Sequence, residues 1–275
     1  MDISINGKAA DITLEEEKIL GEVLAGLEAW LRDSGHRLSG LEVDGEKVDS
    51  LSLERFFNRE VAGIRALNLS TSSWAELAAE ALAALRGEAE RFPACPFGER
   101  AAFKQNWEES PGGRFLAEHM RDLYGLAGKT FSGEGPGSGD LQKLIAERLR
   151  ELEDPWRELA ALGPLIRAVA GRLEDLPLDM QTGKDGRAAE TVQLFSSAAG
   201  KLLRLLGLLK LEGYSPETLT VEGVPIFEYV GEFESALKDL AAAYEAKDGV
   251  LVGDLAEYEL APRLLKFHSA FLPEA

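Results

Sequence analysis

Two segments rich in glycine and containing lysine come closest to a phosphate-binding loop in this sequence. Residues 125–130 read Gly-Leu-Ala-Gly-Lys-Thr, but a P-loop needs a glycine five residues before Gly128, where this chain has Leu123. A P-loop also follows a strand, whereas the spacing of apolar residues predicts a helix before this segment. We therefore interpret it as a helix that ends at Gly128, followed by a flexible glycine-rich loop at 132–139.

The second segment, residues 181–186, reads Gln-Thr-Gly-Lys-Asp-Gly and lies between two predicted long helices. A ligand loop is conceivable here, but a turn between helices is favoured because such connections are usually short and polar.

The cysteine and the histidines show no pattern typical of nucleophilic or metal chemistry. Cys95 is the sole cysteine of the chain, so an intrachain disulfide is excluded, and no histidine lies near it in sequence to activate its thiol. His36, His119 and His268 lack the paired spacing of a zinc site. We predict no catalytic residues, no metal site and no cofactor, and a non-enzymatic protein is favoured.

Carboxylates are concentrated near the C-terminus. Between Glu212 and Glu259 the sequence has twelve acidic residues and two basic ones, Lys238 and Lys247. A solvated helical face is one interpretation, and a docking surface for a basic or amphipathic protein partner is the other. The residues that we assign to this docking surface are Glu228, Glu232, Asp239, Glu245 and Glu257.

Length and charge limit the class of protein. The chain has 275 residues, which favours two domains, and its 45% hydrophobic content is typical of a folded protein. A net charge of -18 disfavours nucleic acid and anionic membranes as partners. The N-terminus lacks the pattern of a signal peptide, and the sequence has no run of about eighteen apolar residues. We therefore expect a cytoplasmic protein, and leave open a homo-oligomer.

Residues 1–71 carry the signals of a small α+β domain. Alternating apolar residues flank Asn6-Gly7 and Asp44-Gly45, the favoured two-residue turns, and so predict two β-hairpins. A helix over about 16–33 is predicted between them, with Ile19, Val23, Leu27 and Trp30 buried. A short helix near 53–58 and a strand over 61–69 follow. This order resembles the β-grasp, or ubiquitin-like, arrangement, and the resemblance implies a recognition surface.

Residues 72–275 are predicted to form a mostly helical bundle domain, because apolar residues recur at helical spacing almost throughout. Ser72 or Ser73 and Glu76 form a capping-box pattern at its start. Residues 247–262, near the C-terminus, resemble a motif in uncharacterised helical proteins of anaerobic bacteria, which implies no catalytic residue.

The sequence is compatible with three functions. A non-enzymatic adaptor or scaffold with an acidic helical docking surface is favoured. A small-molecule or anion-binding regulator would use the cleft between the two domains or the loops at 128–140 and 181–187. An enzyme with a carboxylate site assembled from distant residues is the third alternative.

Overall fold

The computed structural model describes residues 1–14, 17–33, 35–48, 53–211, 214, 219–246 and 248–271. The chain divides into two compact units, Met1–Arg148 and Leu149–Ala275. The predicted α+β part followed by a mostly helical part is confirmed. The boundary between residues 71 and 72 stays a prediction.

Five strands form one mixed sheet in the first unit, in the order β2-β1-β5-β3-β4. β1 pairs in parallel with β5, and the other three pairs are antiparallel. Both predicted hairpin turns are confirmed, with positive φ angles at Asn6, Gly7, Asp44 and Gly45. The strands are β1 (Asp2–Ile5), β2 (Lys8–Ala9), β3 (His36–Val43), β4 (Glu46–Val48) and β5 (Ala66–Ser73).

Helix α1 (Leu20–Asp33) packs its apolar side against this sheet. Val23 and Leu27 are buried as predicted, but Trp30 is 56% exposed, so its predicted burial is wrong. At about 100° per residue, Trp30 falls at the edge of the apolar stripe and Leu31 falls near its centre. The core of this sheet consists of Ile3, Leu20, Val23, Leu24, Leu27, Leu41, Val43, Ile64, Leu67 and Leu69.

Helix α3 (Trp74–Arg91) begins with the predicted capping box. The Glu76 backbone N–H donates to Ser73 Oγ over 3.2 Å, and the Ser73 N–H donates to Glu76 Oε2 over 2.7 Å. The helices after α1 are α2 (Leu53–Phe57), α3 (Trp74–Arg91), α4 (Arg100–Glu109), α5 (Pro111–His119), α6 (Arg121–Ser132) and α7 (Ser138–Glu153). Helix α7 spans the boundary between the two units.

Helix α6 continues through Gly128, so the predicted stop at that residue is wrong. The helix ends at Gly133, whose φ of 77° is the left-handed conformation that favours glycine. The backbone N–H groups of Glu134 and Gly135 both donate to the Lys129 carbonyl over 3.0 Å, and Ser138 Oγ donates to the Ala89 carbonyl. The loop at 132–139 is therefore held by several hydrogen bonds, and its flexibility stays a prediction.

The second unit is a helical bundle with one small hairpin. Helix α10 supplies much of its core, with nine buried residues. This helix is also long and apolar enough to cross a membrane by length and composition, a test that buried core helices also pass. The elements are α8 (Pro155–Ala161), α9 (Gly163–Gln181), α10 (Asp185–Leu211), β6 (Thr220–Val221), β7 (Val224–Pro225), α11 (Ile226–Glu245), α12 (Gly249–Asp254) and α13 (Ala261–Ser269).

A π-helical segment, Leu255–Leu260, joins α12 to α13. Pro262 follows it at the start of α13 and has no backbone N–H, so it cannot continue the α-helical hydrogen-bond pattern. We attribute the change of helical pitch to this proline.

Candidate docking surface on helix α11

Helix α11 is fixed in the second unit by its apolar side. It follows directly after the β6–β7 hairpin, whose turn at Glu222-Gly223 has positive φ angles at both residues. The Tyr229 hydroxyl donates to the Arg263 carbonyl over 3.1 Å, and burial raises the pKa of Tyr229. The buried residues of α11 are Ile226, Tyr229, Phe233, Leu240 and Ala243.

The carboxylates of α11 lie on two flanks of the helix rather than on one face. At about 100° per residue, Glu228, Glu232 and Asp239 fall within about 40° of one another. Glu245 falls about 100° or more away from them, beside Glu234. All five residues are exposed.

A strip of exposed residues runs between these two flanks of α11. It is defined by Gly231, Ser235, Lys238 and Ala242, and we call it the α11 strip. Three of its four residues are small and uncharged. The fourth is Lys238, so the α11 strip is a narrow surface of small side chains that carries one positive charge between two acidic flanks.

Two basic residues of α13 neutralise part of the acidic segment. Arg263 Nη1 donates to Glu232 Oε2 over 2.6 Å, and Arg263 Nε donates to Glu259 Oε2 over 2.9 Å. The hydrogen bond with Glu232 raises the pKa of Arg263. Lys266 Nζ lies 2.8 Å from Glu222. Glu232, one of the predicted docking residues, thus already has an intramolecular counter-ion.

Glu257, another predicted docking residue, lies on the π-helical segment and not on α11. Its hydrogen bond with the Tyr258 hydroxyl raises the pKa of Tyr258. Asp248 has a structural use, because the Leu251 N–H donates to its Oδ1 over 3.1 Å at the start of α12. Glu212, Glu217 and Lys247 lie outside the described residues.

Four carboxylates on α11 lack the ion pairs seen at Glu222, Glu232 and Glu259: Glu228, Glu234, Asp239 and Glu245. Each is exposed, and none has an ion pair in the described part of the chain. Sequence reasoning missed the Arg263 pairings because the acidic segment was counted only to Glu259. The spacing of four residues between Glu259 and Arg263 is a local signal for one of them.

The segments considered for phosphate binding have structural roles. Lys129 and Thr130 lie inside α6, and Thr130 Oγ1 donates to the Leu126 and Pro136 carbonyls over 3.0 and 3.2 Å. Lys184, in the turn after α9, lies 3.4 Å from the buried carboxylate of Asp179. The lysine of each segment is therefore placed within or beside the protein's own helices.

The described residues include no group of three or more histidine, cysteine or acidic side chains that could hold a metal ion. His268 Nε2 lies 3.0 Å from the Leu159 carbonyl, and His119 packs on Phe115 with ring centroids 4.6 Å apart. Burial raises the pKa of Tyr229, whereas hydrogen bonds with Glu257 and Glu232 raise the pKa values of Tyr258 and Arg263.

Two family models match separate parts of the chain. Residues 1–73 match a family model described as the TP0873 N-terminal domain. Residues 159–270 match a domain of unknown function, DUF8042. An uncharacterized protein of Treponema pallidum (strain Nichols) is 22% identical over 262 residues, which cover 95% of this chain and 92% of that protein. No solved structure matches.

Proposed function

We propose that this chain is a non-enzymatic interaction protein whose helix α11 docks a basic or amphipathic segment of a protein partner. The observation that carries the proposal is the set of exposed carboxylates at Glu228, Glu234, Asp239 and Glu245, which have no ion pair among the described residues. They border the α11 strip on both sides. Lysine or arginine side chains of a partner would supply the missing counter-ions.

The physical effect of such a surface is mainly on the rate of encounter. Complementary charges steer two molecules together, and exposed pairs are screened over about 10 Å at 0.1 M salt. Binding through α11 should therefore be fast and should weaken steeply as ionic strength rises. Affinity beyond that requires contacts with the small residues of the α11 strip.

We also propose that residues 1–73 form a β-grasp domain. Three features support this assignment: the strand order β2-β1-β5-β3-β4, the parallel pair of β1 and β5, and a helix between two hairpins. Domains of that arrangement often act as recognition surfaces, which agrees with an adaptor role for the whole chain.

The test of the α11 proposal is a charge reversal with a control of equal net charge. The variant Glu228→Lys, Asp239→Lys, Glu245→Lys changes exposed residues and leaves the Glu232–Arg263 pair intact. The control reverses three exposed glutamates of the first unit, Glu54, Glu90 and Glu134. Both variants have the same net charge, so a difference between them reports the position of the charges.

We expect the α11 variant to lose partners that the native protein recovers from an extract of its own cells at low salt. With a recovered partner, association should slow more than dissociation speeds up. The control should keep both the partners and their salt response. Equal recovery by the native protein and both variants would make α11 a solvated surface only.

The alternative of a small-molecule regulator has one observation in its favour. A cavity of about 590 Å³ lies at one end of the second unit, beside the turn at 181–187. Gln181, Asp185, Tyr244 and Asp248 are among its lining residues. A screen for small cationic molecules that raise the melting temperature, repeated with Tyr244→Phe, would test this second function.

A further inference from the structure

A groove in the first unit lies between α1 and the residues that follow β2. The last backbone hydrogen bond of the hairpin is donated by the Ala10 N–H to the Ile3 carbonyl over 2.9 Å. Residues 10–14 then run outside the named strands and leave a groove of about 490 Å³ beside α1. Its apolar lining includes Ile5, Ile12, Leu14, Val23, Leu27 and Trp30. We call it the α1 groove.

Two glycines of α1 differ in what surrounds them. An added Cβ at Gly21 would collide with the Phe57 ring and lie 3.2 Å from the Phe57 carbonyl oxygen, so packing requires glycine there. An added Cβ at Gly26 would meet no atom within 4 Å. Glycine inside a helix is about 1 kcal/mol less favourable than alanine. Nothing in the packing of the unit explains that cost at Gly26.

Gly26 lines the α1 groove, and this position supplies a reason for the glycine. A side chain at residue 26 would project into the groove and narrow it. The absence of a side chain at residue 26 therefore leaves the groove open, at a cost in helix stability.

The rim of the α1 groove has charge of one sign. The charged residues that line it are Asp11 and Glu17, both acidic, among the residues that the structure describes. Trp30 lies at the rim with 56% of its surface exposed, and tryptophan is one of the residues most often found at the energetic centre of protein interfaces. An apolar floor with an acidic rim complements apolar side chains flanked by lysine or arginine.

We propose that the α1 groove receives the apolar side chains of a basic amphipathic segment from a protein partner. Leucine- or phenylalanine-sized anchors would enter beside Gly26 and contact Trp30, and basic neighbours would face Asp11 and Glu17. This surface belongs to the first unit and uses none of the residues of α11. The two binding proposals can therefore fail or succeed separately.

The experiment uses the full chain and three synthetic 14-residue peptides. The first has leucine and lysine at helical spacing, the second replaces leucine with alanine, and the third replaces lysine with glutamate. Amide signals of Ile12 and Gly26 and the indole signal of Trp30 report on the groove in heteronuclear NMR. Gly26→Leu fills the groove. Gly26→Ala is its matched control, because it brings a similar gain in helix propensity with a much smaller side chain.

We expect the leucine–lysine peptide to shift the groove signals and the other two peptides to leave them nearly unchanged. Gly26→Leu should bind this peptide about tenfold more weakly or worse, a change of about 1.4 kcal/mol, while Gly26→Ala keeps most of the affinity. Both variants should melt at a higher temperature than the native chain, which separates lost binding from lost folding.

Any of three results would overturn the proposal. The leucine–lysine peptide could leave the groove signals unshifted, or Gly26→Leu could bind it as tightly as the native chain does. Equal shifts with the alanine or glutamate peptide would remove the apolar or the charge part of the argument. Reversal of Glu228, Asp239 and Glu245 should not alter these signals, whatever the fate of the α11 proposal.

Discussion

We expect His119 to couple the stability of the first unit to pH through a single half-buried ring. Its Nε2 atom is buried without a hydrogen-bond partner among the described residues, although Glu118 Oε1 lies 3.4 Å away. Burial lowers the pKa of His119, Arg37 lowers it further, and Glu118 opposes the shift. The unfolded chain, with an ordinary histidine pKa of about 6.5, therefore binds a proton more readily than the folded chain.

The sign of the effect follows from this difference in proton binding. Above about pH 6.5 neither state protonates His119, and the folded state keeps its full stability. As pH falls from there through the lowered folded pKa, the free energy of unfolding should decrease. Urea unfolding between about pH 7 and pH 5 should show this loss. His119→Gln should flatten it, and Glu118→Gln should steepen it, because the opposing carboxylate is gone.

A pH profile that is the same in the native chain and in His119→Gln would contradict this assignment. Protonation of Asp44 and Glu76 does not contribute to this pH profile. Hydrogen bonds from backbone N–H groups lower the pKa of each carboxyl, so the stability that they contribute is lost only as pH falls below the ordinary carboxyl pKa of about 4.

At the scale of elements, helix α1 offers a paired test of packing against propensity. Gly21→Ala gains helix propensity but forces a Cβ against the backbone and ring of Phe57, a kind of overpacking that typically costs about 1–3 kcal/mol. Gly26→Ala gains the same propensity and meets open space. We expect Gly26→Ala to stabilise the chain by about 0.5–1 kcal/mol and Gly21→Ala to destabilise it. Chemical denaturation of both variants measures these changes in the free energy of unfolding. Equal effects of the two substitutions would contradict the prediction.

The elements that sequence could predict are those specified by neighbouring residues. Asn6-Gly7, Asp44-Gly45 and the Ser73 capping box act within a few residues, and each forms as expected. The Glu222-Gly223 turn carries a weaker version of the same signal and was missed. The parallel pairing of β1 with β5 joins residues over sixty positions apart, and turn chemistry does not determine it.

The candidate site was predictable only in part for the same reason. The local excess of carboxylates is visible in the sequence, but the pair of Glu232 with Arg263 spans 31 positions and depends on how α11 packs beside α13. The exposure of Trp30 likewise depends on where residues 10–14 leave the sheet. Helical periodicity identified the apolar stripe but not its edge.

For the molecule as a whole, a net charge of -18 means that the folded chain repels itself. Unpaired carboxylates on α11 add to that repulsion, and their removal should stabilise the protein at low salt. Reversing Glu228, Asp239 and Glu245 changes the net charge from -18 to -12, as does the control at Glu54, Glu90 and Glu134. The increase in the free energy of unfolding that comes from a lower net charge alone should be the same in both variants.

The last prediction compares these two variants by urea unfolding at about 20 and 200 mM salt, where screening differs strongly. We expect the α11 variant to gain more stability than the control at low salt, by up to about 1 kcal/mol, and the difference to shrink at high salt. The same variant should lose its partner. Functional sites often lower the stability of a protein while they support its binding or activity, and the carboxylates of α11 would then follow this trade-off. If the control gains as much as the α11 variant, the carboxylates of α11 carry no local repulsion, and their unpaired state is no argument for a partner.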